Sequence, residues 1–169
     1  MSKCTLRAVA GLVILALVGV AAVASAACQG DAPDAVLACF SAAYSNRDIA
    51  TLEAVLAPDY MWVVVAPPRV EVFKREDSVS SSLEMFRNPE VESASLEFHE
   101  GYRVVQGEDP GTWRIEQLRG VLTVKRASVD ESAISPLCVT LYVREVAGDA
   151  PGYQVYREVF FQGEGCVGK

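Results

Sequence analysis

Apolar residues at Val36, Leu37, Phe40, Ala43 and Tyr44 recur at three- and four-residue steps, which predicts a helix from Asp34 to Arg47. Asp31 offers an N-cap, with Asp34 three residues on and Pro33 in the first turn, where its missing N–H does no harm. Asp48 caps a second, short helix with Leu52, Val55 and Leu56 on one face, and Pro58 ends it. From Asp59 the run DYMWVVV is aromatic and β-branched and reads as a strand; Pro67-Pro68 breaks it, and VEVF follows as a short partner. A third helix, Arg75 to Phe86, puts Val79, Leu83 and Phe86 on one face and leaves Ser80 to Ser82 exposed; Asn88-Pro89 stops it.

The pattern then changes period. Ser95 to Gln106, Thr112 to Arg126, Ile134 to Val146 and Tyr153 to Gln162 are extended segments, separated by the turn signals GEDPG, SVDES and GDAPG. Alternation is clear in TLYVREV and YQVYREVFF, which predicts long antiparallel strands joined as a meander. Helices first and a sheet afterwards give an α+β class, with three N-terminal helices covering one face of the sheet.

The first 26 residues belong to neither pattern. Lys3 and Arg7 precede an uncharged apolar run, Ala8 to Val23, and Ala24-Ser25-Ala26 supplies small residues at a cleavage position. Residues 1–26 therefore read as a signal peptide, and 31–166 as a single domain of ordinary size. A periplasmic or extracellular location follows. A second processing route is open at Cys28: Ser25-Ala26-Ala27-Cys28 resembles a lipoprotein signal ending at residue 27, though Ser25 stands where a larger aliphatic residue is usual. Lipidation of Cys28 would anchor the protein to a membrane.

Charge and cysteines narrow the chemistry further. The chain carries a net charge of −7, and losing Lys3 and Arg7 makes the remainder more acidic, so it offers no basic patch for nucleic acid. Outside the cytoplasm Cys28, Cys39, Cys138 and Cys166 can form disulfides; Cys138 with Cys166 is favoured because both fall near one end of a terminal hairpin. With Cys28 free to pair, three connectivities are open. No C-x-x-C is present, and HEGY after Phe98 lacks the second histidine of a zinc protease, so no metal site is expected. GEGCVG near the C-terminus matches a nucleotide fingerprint literally, but it follows the last strand with no helix after it, so no cofactor is expected.

The segment ACFSAAYSNRDIATLEAVLAPDYMWVV resembles the opening of nuclear transport factor 2-like proteins, which include polyketide-cyclase-like and steroid-isomerase-like families. APGYQVYREVFF is similar to their last strand. The resemblance implies a cystatin-like cone: helices packed into a strongly curved, mostly antiparallel sheet around a pocket. It also implies where a steroid-isomerase-like site would lie, with the tyrosine donor falling on Phe40 and the carboxylate base on Val64. Neither side chain can move a proton, so that activity is not expected.

Two residues stand as weak catalytic candidates. His99 is the only histidine, flanked by Glu97 and Glu100 in an alternating strand where a surface role competes. Asp59 can be a proton-transfer carboxylate or simply the residue that opens a strand. The expected ligand-binding set is Phe40, Tyr44, Tyr60, Trp62, Val64, Tyr142 and Tyr156, with Arg144 and Glu158 read as an outward-facing charge pair. The functional expectation is an exported, non-catalytic domain binding a small apolar ligand. A homodimeric assembly module and a cyclase- or dehydratase-like enzyme are the alternatives.

Overall fold

The computed structural model describes residues 28–128, 133–148 and 152–161. The signal segment, Cys166 and GEGCVG lie outside the described residues. The chain forms β1 (Cys28–Gln29), α1 (Ala35–Asn46), α2 (Ile49–Val55), β2 (Leu56–Ala66), β3 (Arg69–Lys74) and α3 (Arg75–Arg87). Then come β4 (Val91–His99), β5 (Arg103–Gln106), β6 (Thr112–Arg126), β7 (Ala133–Val146) and β8 (Gly152–Phe161). The sheet runs β3-β2-β8-β7-β6-β4, with β1 beside β8 and β5 beside β6. Every pairing is antiparallel except β2 with β8. The expected α+β layout holds: three helices pack on a large curved sheet.

Local chemistry explains the helix boundaries. Asp48 Oδ1 accepts from the N–H groups of Ala50 (3.0 Å) and Thr51 (3.2 Å), and Oδ2 accepts from the Thr51 hydroxyl at 2.6 Å, so α2 starts where the sequence placed it. Arg47 ends α1 in the left-handed region (φ 52°) and donates to the Val91 carbonyl at 2.8 Å, which ties the helix break to β4. The cap expected at Asp31 is not made; Asp34 holds the N-cap position and its carboxylate accepts from the Tyr102 hydroxyl at 2.9 Å instead. Arg75 donates to the carbonyls of Glu53 (2.9 Å) and Leu56 (3.4 Å), which fixes the start of α3 against the end of α2. The strand expected from Ser95 to Gln106 begins earlier, at Val91, and breaks at Gly101 (φ 99°) into β4 and β5.

The core is the seam between the helices and the concave side of the sheet. Val36, Leu52, Val55, Ile115, Leu118, Leu141, Val143 and Val155 are fully buried there. Each contributes about 1.5–3 kcal/mol by leaving water. An exposed ion pair contributes under about 1 kcal/mol, so the seam decides the fold.

Two bulges decide which residues face that seam. In β6, Ile115 pairs with Leu141 and Leu118 with Val139, so Glu116 and Gln117 stand opposite the single Thr140; Gln117 takes φ 58° there. In β8, Val155 pairs with Val143 and Arg157 with Tyr142, leaving Tyr156 as the extra residue. Inward positions are therefore odd-numbered before each bulge in these strands and even-numbered after it. This shift controls the site.

Cys28 is bonded to Cys39, with Cα atoms 6.1 Å apart, and Cys138 is also disulfide-bonded. The bridge and a thioether-linked lipid are mutually exclusive uses of one sulfur, so Cys28 lipidation does not fit this structure.

Candidate functional site

A cavity of about 260 Å³ opens between the helices and the concave face of the sheet. Phe40 and Tyr44 reach it from α1, Leu52 from α2, and Leu56, Tyr60 and Trp62 from β2. The sheet floor adds Leu96 and Phe98 from β4, Leu122 from β6, Val139 and Leu141 from β7, and Glu158 from β8. Phe98 lies opposite Gly120, where an added Cβ would sit 3.1 Å from the ring and 2.7 Å from the Glu97 carbonyl; glycine makes room for this wall. The α3 wall is Ser78, Ser81, Ser82 and Met85, spaced along one helical face. Ser82, expected to be exposed, is buried and lies 3.4 Å from the Tyr44 hydroxyl.

Of the expected ligand set, Phe40, Tyr44, Tyr60 and Trp62 line the cavity. Val64 does not: it sits two residues past Trp62 along β2, beyond the cavity wall. Tyr142 and Tyr156 do not either, because the β8 bulge turns Tyr156 outward and Tyr142 alternates with the inward Leu141 and Val143. They stack edge-to-face on the outer surface, ring centroids 6.1 Å apart. The Arg144 guanidinium lies over Tyr156 at 5.8 Å and that of Arg157 over Tyr142 at 5.5 Å.

Both catalytic candidates are outside the cavity. Asp59 forms a two-pronged ion pair with Arg144, at 3.0 and 2.5 Å, and 63% of its side chain is exposed. The Arg144 hydrogen bond holds its carboxyl below the usual range, which keeps it a carboxylate and not a proton donor. His99 is exposed at the end of β4, beside inward-pointing Phe98 and therefore on the other face.

The charged pair expected between Arg144 and Glu158 is absent. Glu158 points inward, opposite Leu141 and Trp62, and is the one charged side chain among the residues that line the cavity. Tyr60 donates to Glu158 Oε2 at 2.7 Å. Glu158 is half-buried: it opens onto the cavity and is otherwise enclosed by protein. That enclosure raises its carboxyl pKa above the usual range, with the Tyr60 bond pulling the other way. Burial raises Tyr60 well above an ordinary phenol, and the Glu158 charge adds to the effect. Burial likewise raises Tyr44, opposed by Ser82. The buried Ser78 Oγ lies beside the Tyr60 hydroxyl and opposes its rise, though the two make no hydrogen bond of good geometry. Among the described residues no group of three or more His, Cys, Asp or Glu is placed to hold a metal ion.

Solved structures place this geometry. An NTF2-like protein of unknown function in nutrient uptake from Rhodospirillum rubrum superposes with a TM-score of 0.54 at 18% identity, covering 78% of this chain and 98% of its own. An NTF2-like superfamily protein from Salmonella enterica gives 0.54 at 11% identity, covering 79% and 92%. The chain has the nuclear transport factor 2-like fold. A putative scytalone dehydratase from Novosphingobium aromaticivorans shares it, with a TM-score of 0.52 at 12% identity over 74% of this chain and 77% of its own. No family model matches the sequence, and no curated protein does. At these identities the likeness concerns the nuclear transport factor 2-like cone and not its contents.

Proposed function

We propose that this protein is an exported domain that binds a small, largely apolar ligand in its cone without transforming it. The observation that carries this reading is the cavity of about 260 Å³ walled mainly by aromatic and aliphatic side chains. An engineered apolar cavity of about 150 Å³ already takes benzene, so the volume suits a somewhat larger molecule. Export draws support from the n-region, apolar run and A-x-A step before residue 27, and from the Cys28–Cys39 bridge, which persists in oxidising compartments. The test is a thermal-shift panel of small apolar compounds. A ligand selective for the native state raises the melting temperature with concentration. A panel in which nothing moves it overturns the reading.

One observation favours a second reading, an acid/base enzyme of the dehydratase or cyclase sort. Glu158, held by Tyr60 inside an apolar cavity, is the pairing of a titratable carboxyl with a phenol that such chemistry uses. Turnover of a hydroxy-carbonyl substrate that disappears in Glu158→Gln would favour this reading over simple binding.

A further inference from the structure

A carboxylate enclosed by protein without a cation is costly, and Glu158 has none among the described residues. Tyr60 supplies its one hydrogen bond, to Oε2, and Oε1 receives no donor from the described residues. Among the described residues no Lys, Arg or His lines the cavity. Removing one partner from a buried ion pair costs several kcal/mol, so a carboxylate in this position is complementary to whatever brings a positive charge to it. The neighbouring surfaces favour the same kind of ligand. Tyr60 bonds the carboxylate, Trp62 sits opposite Glu158 on β2, and Tyr44 lines the same cavity, and aromatic ring faces attract ammonium groups. The net charge of −7 draws cations toward the protein and repels anions.

The geometry points to a ligand that is an amine: an apolar body filling the aromatic end of the cone, with its ammonium group seated against the Glu158 carboxylate. This rests on the ligand-binding reading and specifies its chemistry. Glu158, Tyr60 and Tyr44 are the titratable groups that face the site from β8, β2 and α1. Both phenols are raised, so neither competes as an anion near neutrality. Amine affinity therefore follows the Glu158 carboxyl, falling as acid protonates it.

The test is calorimetric titration of the folded protein at pH 8 with three probes of one shape: phenethylamine, 2-phenylethanol and phenylacetate. The amine is expected to bind at least tenfold more tightly than the alcohol, and phenylacetate not measurably. In Glu158→Gln the amine loses that margin over the alcohol. In the native protein, needing no variant, amine affinity drops between pH 8 and pH 5 and alcohol affinity does not. Equal binding of amine and alcohol, or an amine affinity indifferent to Glu158→Gln and to pH, overturns the amine assignment while leaving the apolar pocket standing. Binding by none of the three also overturns it, and the broader apolar panel then decides whether the pocket reading falls too.

Discussion

The Tyr60 hydroxyl donates to Glu158 Oε2 across 2.7 Å, joining β2 to β8 at the wall of the cavity. The two residues do not depend on the bond equally. Tyr60→Phe leaves Glu158 enclosed with no donor and is expected to cost about 1–3 kcal/mol. Glu158→Gln keeps an acceptor for the phenol and removes a buried charge, so its stability stays within about 1 kcal/mol of the native protein. Urea midpoints at neutral pH measure both. A Tyr60→Phe protein as stable as the native one would show that the bond carries no weight.

Glu158 and Asp59 give opposite pH signatures. The folded pKa of Glu158 is raised by burial, so the native state holds its proton at pH values where the unfolded chain has released it. Its contribution to stability is fullest below the ordinary glutamate value and declines as pH rises through that value toward the raised one. Asp59 is depressed by Arg144, so its contribution is present above the ordinary aspartate value and is lost as pH falls. The difference in unfolding free energy between native protein and Glu158→Gln is expected to shift against the native protein as pH rises from 4 to 8. A flat difference would mean that the carboxyl is not buried in solution.

Asp59 with Arg144 is a surface pair, 63% and 34% exposed at the side chain. Asp59→Asn is expected to cost under about 1 kcal/mol, less at high salt, and to leave ligand affinity unchanged. Loss of binding in Asp59→Asn would place this carboxylate back among the functional residues.

The helix order, the Asp48 cap and the antiparallel meander were readable because each is local: a cap lies three residues from what it bonds, and a turn lies inside its own few residues. Phe40, Tyr44, Tyr60 and Trp62 were readable because α1 and the second half of β2 keep their period. Glu158 was not. Alternation counted along YQVYREVFF puts it with Tyr156, and the bulge that separates them depends on the β7 register, a contact no single strand encodes. The α3 wall was hidden differently. Ser78, Ser81 and Ser82 have the polarity of a solvated face, and only the cavity beside them shows that Ser82 is buried against the Tyr44 hydroxyl while Ser81 stays exposed at the rim. A hydrophobic core announces itself by composition, whereas a cavity with a polar wall does not.

Cys28 and Cys39 close a loop with a sequence separation of 11 between β1 and α1. β1 pairs with β8 through Cys28 opposite Tyr153, and Cys39 directly precedes Phe40, so the bridge pins the helix wall of the cavity to the sheet. Constraining a loop of this length in the unfolded chain stabilises the fold by about 2–3 kcal/mol. The double variant Cys28→Ser/Cys39→Ser is expected to lose about that much in urea denaturation and to exchange its α1 amide protons faster than those of β6 and β7, which have no link to the bridge. In the native protein neither sulfur reacts with a thiol reagent until a reductant is added, since a bonded sulfur offers no thiolate. A double variant as stable as the native protein, with α1 still protected, would mean that core packing holds the helix in place without the bridge. Immediate labelling of Cys39 in the unreduced protein would mean that Cys28 is committed elsewhere, and the lipidated form would return as the explanation.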